Sequence, residues 1–136
     1  MSARVQMVEC SGLGAPLGLY SHVSRASGNT IFIAGQVATD AQGKLVGKDD
    51  FPAQVRQAFE NLSAALRSAG ASFADVAKFT TYLTRAGDIP AFMATRKEIF
   101  ARIYPNASYP PNTLLVITRL VEPEFLIEIE AIAATE

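Results

Sequence analysis

Glu128 and Glu130 stand two residues apart in the closing stretch Ile127-Glu128-Ile129-Glu130-Ala131-Ile132-Ala133 of a 136-residue chain. Side chains two apart in a strand lie on one face. The two carboxylates therefore share a side with Leu126 and Ile132, while Phe125, Ile127, Ile129, Ala131 and Ala133 take the other. A carboxyl group partly withdrawn from water holds its proton more tightly, which brings it toward the range where it can draw a proton from water and activate it for attack. The plainer reading is a pair of charges pointing into solvent, the usual place for acids on an outer strand face. Leu126 and Ile132 flank the pair and favour a partly buried face lining a cleft. The strand alone leaves both readings open.

Little else in the chain offers chemistry. Gly12, Gly14 and Gly18 precede an expected strand, so they lack the helix N-terminus that would hold a phosphate. No serine sits in a nucleophile elbow. His22 is the sole imidazole, and its expected strand position, with Tyr20 and Ser24 at the same parity, suits a structural hydrogen bond. One histidine and one cysteine, Cys10, make neither a Cys/His zinc site nor an internal disulfide. Neither a metal nor a cofactor is expected. What remains is carboxylate and hydroxyl chemistry on an uncharged carbon, with water as the reagent.

The elements that would position these groups follow from pattern. Tyr109-Pro110-Pro111 cannot join a central ladder, so pairing starts at Asn112. Asn112 to Leu120 reads as a strand, Val121-Glu122-Pro123-Glu124 as a turn, and Phe125 to Ala133 as the returning partner. Upstream, Val5, Met7 and Glu9 alternate as an edge strand would, and Leu19 to Ser27 and Thr30 to Val37 read as a hairpin about Gly28-Asn29. Gly35 interrupts the second of these strands, which marks either a packing position or a bulge where a ligand approaches the backbone. Asp49 and Asp50 precede Phe51-Pro52 as helix-start signals, Val55, Phe59, Leu62 and Leu66 keep helical spacing, and Gly70 closes the helix. Its exposed side is expected to carry Gln54, Arg56, Gln57 and Arg67. Val76 to Leu83 is a strand. Asp88 and Pro90 open a second helix that runs to about Ile103, with Phe92, Ile99, Phe100 and Ile103 inward.

The order is strand, hairpin, helix, strand, helix, hairpin. Right-handed crossovers place both helices on one side of a mixed sheet, giving an α+β fold whose other sheet face must be hidden by self-association. The totals fit one domain over residues 1–136. A chain that is 49% hydrophobic and 18% charged is not disordered. Its 12 basic residues are scattered and its net charge is −1, which argues against a broad nucleic-acid surface. No apolar run approaches the roughly 20 residues that span a bilayer, and Met1 to Cys10 lacks the apolar core of a secretory signal. A cytoplasmic setting, no membrane contact and a small-molecule or protein partner are the expectations.

At Tyr20-Ser21, Ile33-Ala34-Gly35-Gln36, Lys78-Phe79-Thr80-Thr81-Tyr82-Leu83-Thr84 and the closing Ile127 to Ala133, the sequence resembles the RidA/YjgF family of reactive-intermediate deaminases, also called the endoribonuclease L-PSP family. The motifs occur in the family's order and spacing, and the likeness spans essentially the whole chain. It implies a chorismate-mutase-like α+β fold, a six-stranded mixed sheet with two helices on one face. It also implies a homotrimer whose sheets form a central barrel with clefts between subunits. The implied activity is hydrolysis of enamines and imines, releasing ammonia.

Carried over residue by residue, the resemblance makes Glu128 the group that positions water, Gly35 the strand glycine whose neighbouring N–H assists, and Tyr20 the tyrosine of the early motif. Thr113 matches a small hydroxyl residue of the family. Where the family's pattern has an arginine that grips the substrate carboxylate, this chain has Asn112, which offers two uncharged donors in place of a charged fork. Met93 stands where many members carry asparagine, and Leu114 where they carry a small polar or sulfur residue, so the implied pocket is less polar. Arg25, Arg85, Arg96 and Arg119 are the candidates for a substitute charge, and each is expected on the surface. Three readings follow: a trimeric hydrolase diverged in substrate, a non-catalytic metabolite-binding trimer, and a ribonuclease or translation inhibitor, the last disfavoured by the acidic balance.

Overall fold

The computed structural model describes residues 4–136. In chain order the elements are β1 (Val5–Val8), β2 (Val23–Ala26), β3 (Asn29–Gln36), α1 (Phe51–Ser68), β4 (Val76–Leu83), α2 (Ile89–Ile103), β5 (Asn112–Val116) and β6 (Ile127–Thr135). Short 3-10 turns at Phe73–Asp75 and Ala86–Asp88 lead into β4 and α2. The start signals of α1 act as expected: the Asp50 side chain accepts from Ala53 N at 3.1 Å and Pro52 lies in the first turn. The helix stops before Gly70, whose φ of 73° suits a residue without a side chain. Asp88 stands at the N-cap of α2, but its carboxylate accepts from Arg85 Nε at 2.8 Å and leaves the helix end without a side-chain cap.

Both helices press on the same side of the main sheet. Phe59 of α1, Phe100 of α2 and Phe79 of β4 meet there, Phe59 lying edge-on to the other two at centroid distances of 5.8 and 6.0 Å. Burial of each such ring stabilises by roughly 1.5–3 kcal/mol, and each pair by about 0.5–1.5 kcal/mol more. Gln54, expected on the wet side of α1, is instead fully buried. It stands three residues after Phe51 and four before Ala58, inside the apolar stripe, and its amide is satisfied. Nε2 donates to Gly47 O and Glu124 O at 3.1 and 3.0 Å, and Oε1 accepts from Leu126 N at 2.9 Å.

The sheet corrects the expected pairings. Its order is β3-β6-β4-β5, with β6 antiparallel to both neighbours and β4 parallel to β5. The last two strands therefore do not form a hairpin: β4 lies between them. Residues 117–126 are the connection that makes this crossing possible, and β5 ends at Val116, short of the expected Leu120. The early hairpin is also replaced. β2 starts at Val23 and pairs with β1, forming a separate antiparallel ribbon, while β3 turns away at Gly28 to run along β6. A side chain at Gly28 would overlap the Thr135 carbonyl, so that turn needs a residue without Cβ. Among the described residues there are six strands, divided into four and two.

On the side of the main sheet away from the helices, the cross-strand rows are Phe32–Ile132–Lys78, Glu130–Thr80–Thr113 and Glu128–Tyr82–Leu115. Phe32 is 77% exposed, and Leu115 and Ile132 are about two-fifths exposed. The β1–β2 ribbon covers only one end of this face, through Val5 on Ala77 and Ala134. No helix among the described residues is long and apolar enough to cross a membrane.

Candidate active site

Glu128 is positioned by β6, whose alternate residues Ile127 and Ile129 are fully buried and so turn Glu128 to the open face. Across the strand boundary lies Gly35. The β3–β6 register shifts between Ile33 and Gln36, a bulge that brings the Gly35 backbone against the acid. A Cβ at Gly35 would overlap the Glu128 carboxylate and its Cγ. The sequence left a packing glycine and a ligand-approach glycine as alternatives. The structure shows what the missing side chain makes room for, which is the catalytic candidate itself.

Glu130 follows two residues on, and the Tyr82 hydroxyl donates a short hydrogen bond to it from β4. That bond makes the phenol harder to ionise, with burial and the charges of the two acids adding to the effect, so the Tyr82 pKa is raised. Glu128 has no such donor among the described residues. Its pKa is raised above the ordinary carboxyl value, first by partial burial and second by the charge of Glu130. The two acids thus differ in their surroundings, one bonded to a phenol and the other resting against the Gly35 backbone.

A second group lies at the other end of the sheet. Tyr20, Asn112 and Thr113 line one open cleft of about 430 Å³ together with Ser21, His22 and Lys78. Ser21 Oγ donates to Tyr109 O at 2.6 Å, His22 Nε2 lies 2.6 Å from Gly14 O, and the Tyr20 hydroxyl accepts from Leu17 N at 3.1 Å. These bonds fix the loop Gly14–His22 against the start of β5, so the strand expected from Leu19 begins only at Val23. Asn112 Oδ1 accepts from the buried Thr81 Oγ1 at 2.7 Å, which turns the carboxamide toward the helix side while Thr113 faces the open side. Leu114, at the parity of Asn112, packs on the core.

The two groups do not meet within the chain. Glu128 pairs with Tyr82, and Asn112 with Phe79 across two strand spacings. That separation is on the order of 14 Å along the sheet. The structure thus joins Glu128 to Gly35 and Tyr20 to Asn112 and Thr113, but not one group to the other.

Arg96 corrects the sequence expectation most sharply. It is 2% exposed, while Arg25 is exposed, Arg85 is paired with Asp88, and Arg119 donates to the carbonyls of Leu120 and Val121. From α2 its guanidinium lies over Phe92 and Phe100 at 4.9 and 5.7 Å from the ring centroids, and Nη2 reaches Met93 Sδ at 3.0 Å. Burial lowers its pKa, and the nearby Tyr20 phenol partly offsets that. Its position four residues after Phe92 and four before Phe100 was the available signal, since an arginine inside an apolar stripe cannot reach solvent from there.

The model of the family described as Endoribonuclease L-PSP matches residues 13–135. A RutC family protein of Pyrococcus horikoshii is 40% identical over 121 residues, 89% of this chain and 90% of that protein. A 2-iminobutanoate/2-iminopropanoate deaminase of Salmonella typhimurium is 32% identical over 106 residues, 78% of this chain and 80% of the enzyme. Among solved structures, the conserved Rid family protein YyfB of Yersinia pestis superposes with a TM-score of 0.86 at 36% identity, covering 97% of this chain and 99% of that one.

Proposed function

The chain belongs to the endoribonuclease L-PSP family, known also as RidA/YjgF, and on that premise we propose that it hydrolyses enamine- or imine-type metabolites, releasing ammonia. In this reading Glu128 takes a proton from a water molecule, the water oxygen bonds to the imine carbon, and the C=N π pair moves to nitrogen, which takes that proton from Glu128 to give a neutral carbinolamine. Glu128 then takes the carbinolamine hydroxyl proton and passes it to nitrogen as C=O forms and the C–N bond breaks, so an imine and one water become a carbonyl compound and ammonia. A carboxyl whose pKa is raised above the ordinary value is the stronger base for each of these transfers.

The observation that carries this is the Glu128 carboxylate seated against Gly35 on the open face, beside a second acid that accepts from the Tyr82 hydroxyl. The Gly35 backbone at the bulge is the surface on which the reacting carbon would rest. Tyr20, Asn112 and Thr113 form the binding wall, and Met93 and Leu114 make the interior behind it less polar. We read residues 1–136 as one domain that works as a homotrimer, with the two groups meeting across a cleft between neighbouring copies. The exposed Phe32, Leu115 and Ile132 support burial of the open face in such an assembly. Asn112 and the apolar pair Met93 and Leu114 shift the substrate preference away from that of the amino-acid imines named for the Salmonella relative.

The test is ammonia and keto-acid release from imines generated in place by an amino-acid oxidase, with wild type beside Glu128→Ala. Acceleration by the wild type alone supports the hydrolase, and no acceleration across acidic, aliphatic and aromatic imines overturns it. A metabolite-binding trimer is the second reading, favoured by Asn112 having its carbonyl already engaged by Thr81. It requires that Glu128→Ala hold the ligand as well as wild type.

A further inference from the structure

A guanidinium carries five N–H donors, and a buried one needs acceptors for them. Arg96 is almost completely buried and finds a single, poor acceptor among the described residues: Nη2 lies 3.0 Å from Met93 Sδ, and Nε has no partner at all. Phe92 and Phe100 face the plane of the group and orient it, but a ring face does not satisfy N–H bonds that lie in that plane. A thioether accepts weakly, so the charged donor on α2 is left short of hydrogen bonds.

Met93 is the neighbour whose chemistry can change. It stands one helical turn before Arg96 and is only half-buried, which leaves its side chain within reach of a small dissolved reagent. A Cβ at Gly18 would lie 2.8 Å from Arg96 Nη2 and 3.4 Å from Met93 Sδ, so the glycine leaves space beside both atoms. The methionine side chain is unbranched and turns about three bonds, and its sulfur can withdraw to admit one oxygen next to Nη2.

We propose that Met93 is a site of oxidation, at which a peroxide converts the thioether to a sulfoxide whose oxygen is held by Arg96 Nη2. The sulfur lone pair forms the S–O bond to one peroxide oxygen as the O–O bond breaks. The departing hydroxide takes the proton of the transferred oxygen and leaves as water. Sulfur is oxidised by two electrons, the peroxide is reduced by two, and a methionine sulfoxide reductase restores the thioether. A sulfoxide oxygen is a far better acceptor than sulfur, so the product meets a charged donor that the reduced protein leaves unmet. Oxidation of a packed methionine ordinarily disrupts its surroundings. At Met93 it should strengthen them. Met7 supplies the contrast, being half-buried too but packed on Val5, Ala77 and Ala134.

The test uses the full chain with Cys10→Ser, which removes the thiol, and Met7→Leu, which removes the second internal methionine. Dilute hydrogen peroxide is applied, peptide mass spectrometry reads the sulfoxide at Met93, and thermal melts are taken before and after. The sulfoxide is expected to form and to raise the melting temperature by about 2–5 °C. With Arg96→Leu added, the same oxidation should lower it, because the new oxygen then has no donor. Met93→Gln, which places an amide oxygen there without peroxide, should melt above its unoxidised parent. A Met93 that stays a thioether while free methionine in the same solution is oxidised overturns the proposal. So does a sulfoxide that lowers the melting temperature with Arg96 present, or one that shifts it equally with and without Arg96. If Arg96→Leu does not fold, Met93→Gln decides: melting below the parent overturns the assignment of the oxygen to Arg96, and melting above it supports it.

Discussion

Glu128 and Arg96 are both ionisable groups drawn out of bulk water, yet their surroundings are opposite. Glu128 has a second acid and a phenol at hand and remains half-exposed on the open face. Arg96 has a thioether and two rings and is closed from solvent. A half-exposed carboxyl beside a like charge holds its proton more tightly than a free one, which suits it to proton transfer. A sealed guanidinium does not exchange its proton in this way and is held in place by the two rings and the thioether. The two should therefore fail separately when altered.

The largest expected effect is on the acid alone. Glu128→Ala should lower imine hydrolysis by about 10²–10⁴-fold, the usual range for a positioned general base, while the protein still melts cooperatively. Steady-state ammonia release and a thermal melt on the same preparation check both halves. Loss of the fold together with turnover would show that the acid is needed for packing, as a buried group is, and would break the comparison.

Gly35→Ala comes next. Its added methyl group must displace the Glu128 carboxylate and Cγ, which should destabilise the fold by about 1–3 kcal/mol and depress activity. In a Glu128→Ala background the obstacle is gone, so most of that stability cost should vanish. A double-mutant cycle by urea unfolding reads the coupling, expected at about 1 kcal/mol or more. Additive costs would mean that the glycine is required by the bulge backbone and not by the acid.

The parts legible in the sequence are those whose signals are local. The caps and spacing of α1, the extent of β4 and α2, the bulge glycine and the face of Glu128 all follow from short-range pattern. Strand order does not, because Val121-Glu122-Pro123-Glu124 looks the same whether the chain turns back beside β5 or passes over β4 to reach β6. The four-plus-two division of the strands has a related cause: Gly28-Asn29 reads as a hairpin turn, and only the Thr135 carbonyl against Gly28 reveals a crossing of two strands. Arg96 and Gln54 were misplaced by residue type, since polar side chains default to the surface. Their helical positions, within the Phe92–Phe100 and Phe51–Ala58 stripes, already contradicted that default.

Glu130→Gln sharpens the acidic side. The substitution keeps an acceptor for the Tyr82 hydroxyl but removes the negative charge that is the second cause of the raised Glu128 pKa. Glu128 then ionises more readily, so the acidic limb of the kcat/KM profile should move to lower pH. Burial, the larger cause, is untouched, and the shift should be partial. A limb that stays in place would mean that burial alone sets the Glu128 pKa.

The smallest effect separates the two regions by stability. A carboxyl whose folded pKa is raised contributes stability that is full below its unfolded value and is lost as pH rises through the folded one. Glu128→Gln should therefore melt higher than wild type at pH 7–8, with the difference closing below about pH 4. Because Glu128 is half-exposed and solvent screens it, the rise should be only about 1–3 °C. Arg96→Met removes a buried charge that does not titrate in this range, so any change in melting temperature it brings should be flat from pH 4 to 9. Melts of the two variants across pH, without ligand, give the contrast directly. A Glu128→Gln difference that widens toward acid would mean that the carboxylate is stabilised by folding, the reverse of the raised Glu128 pKa.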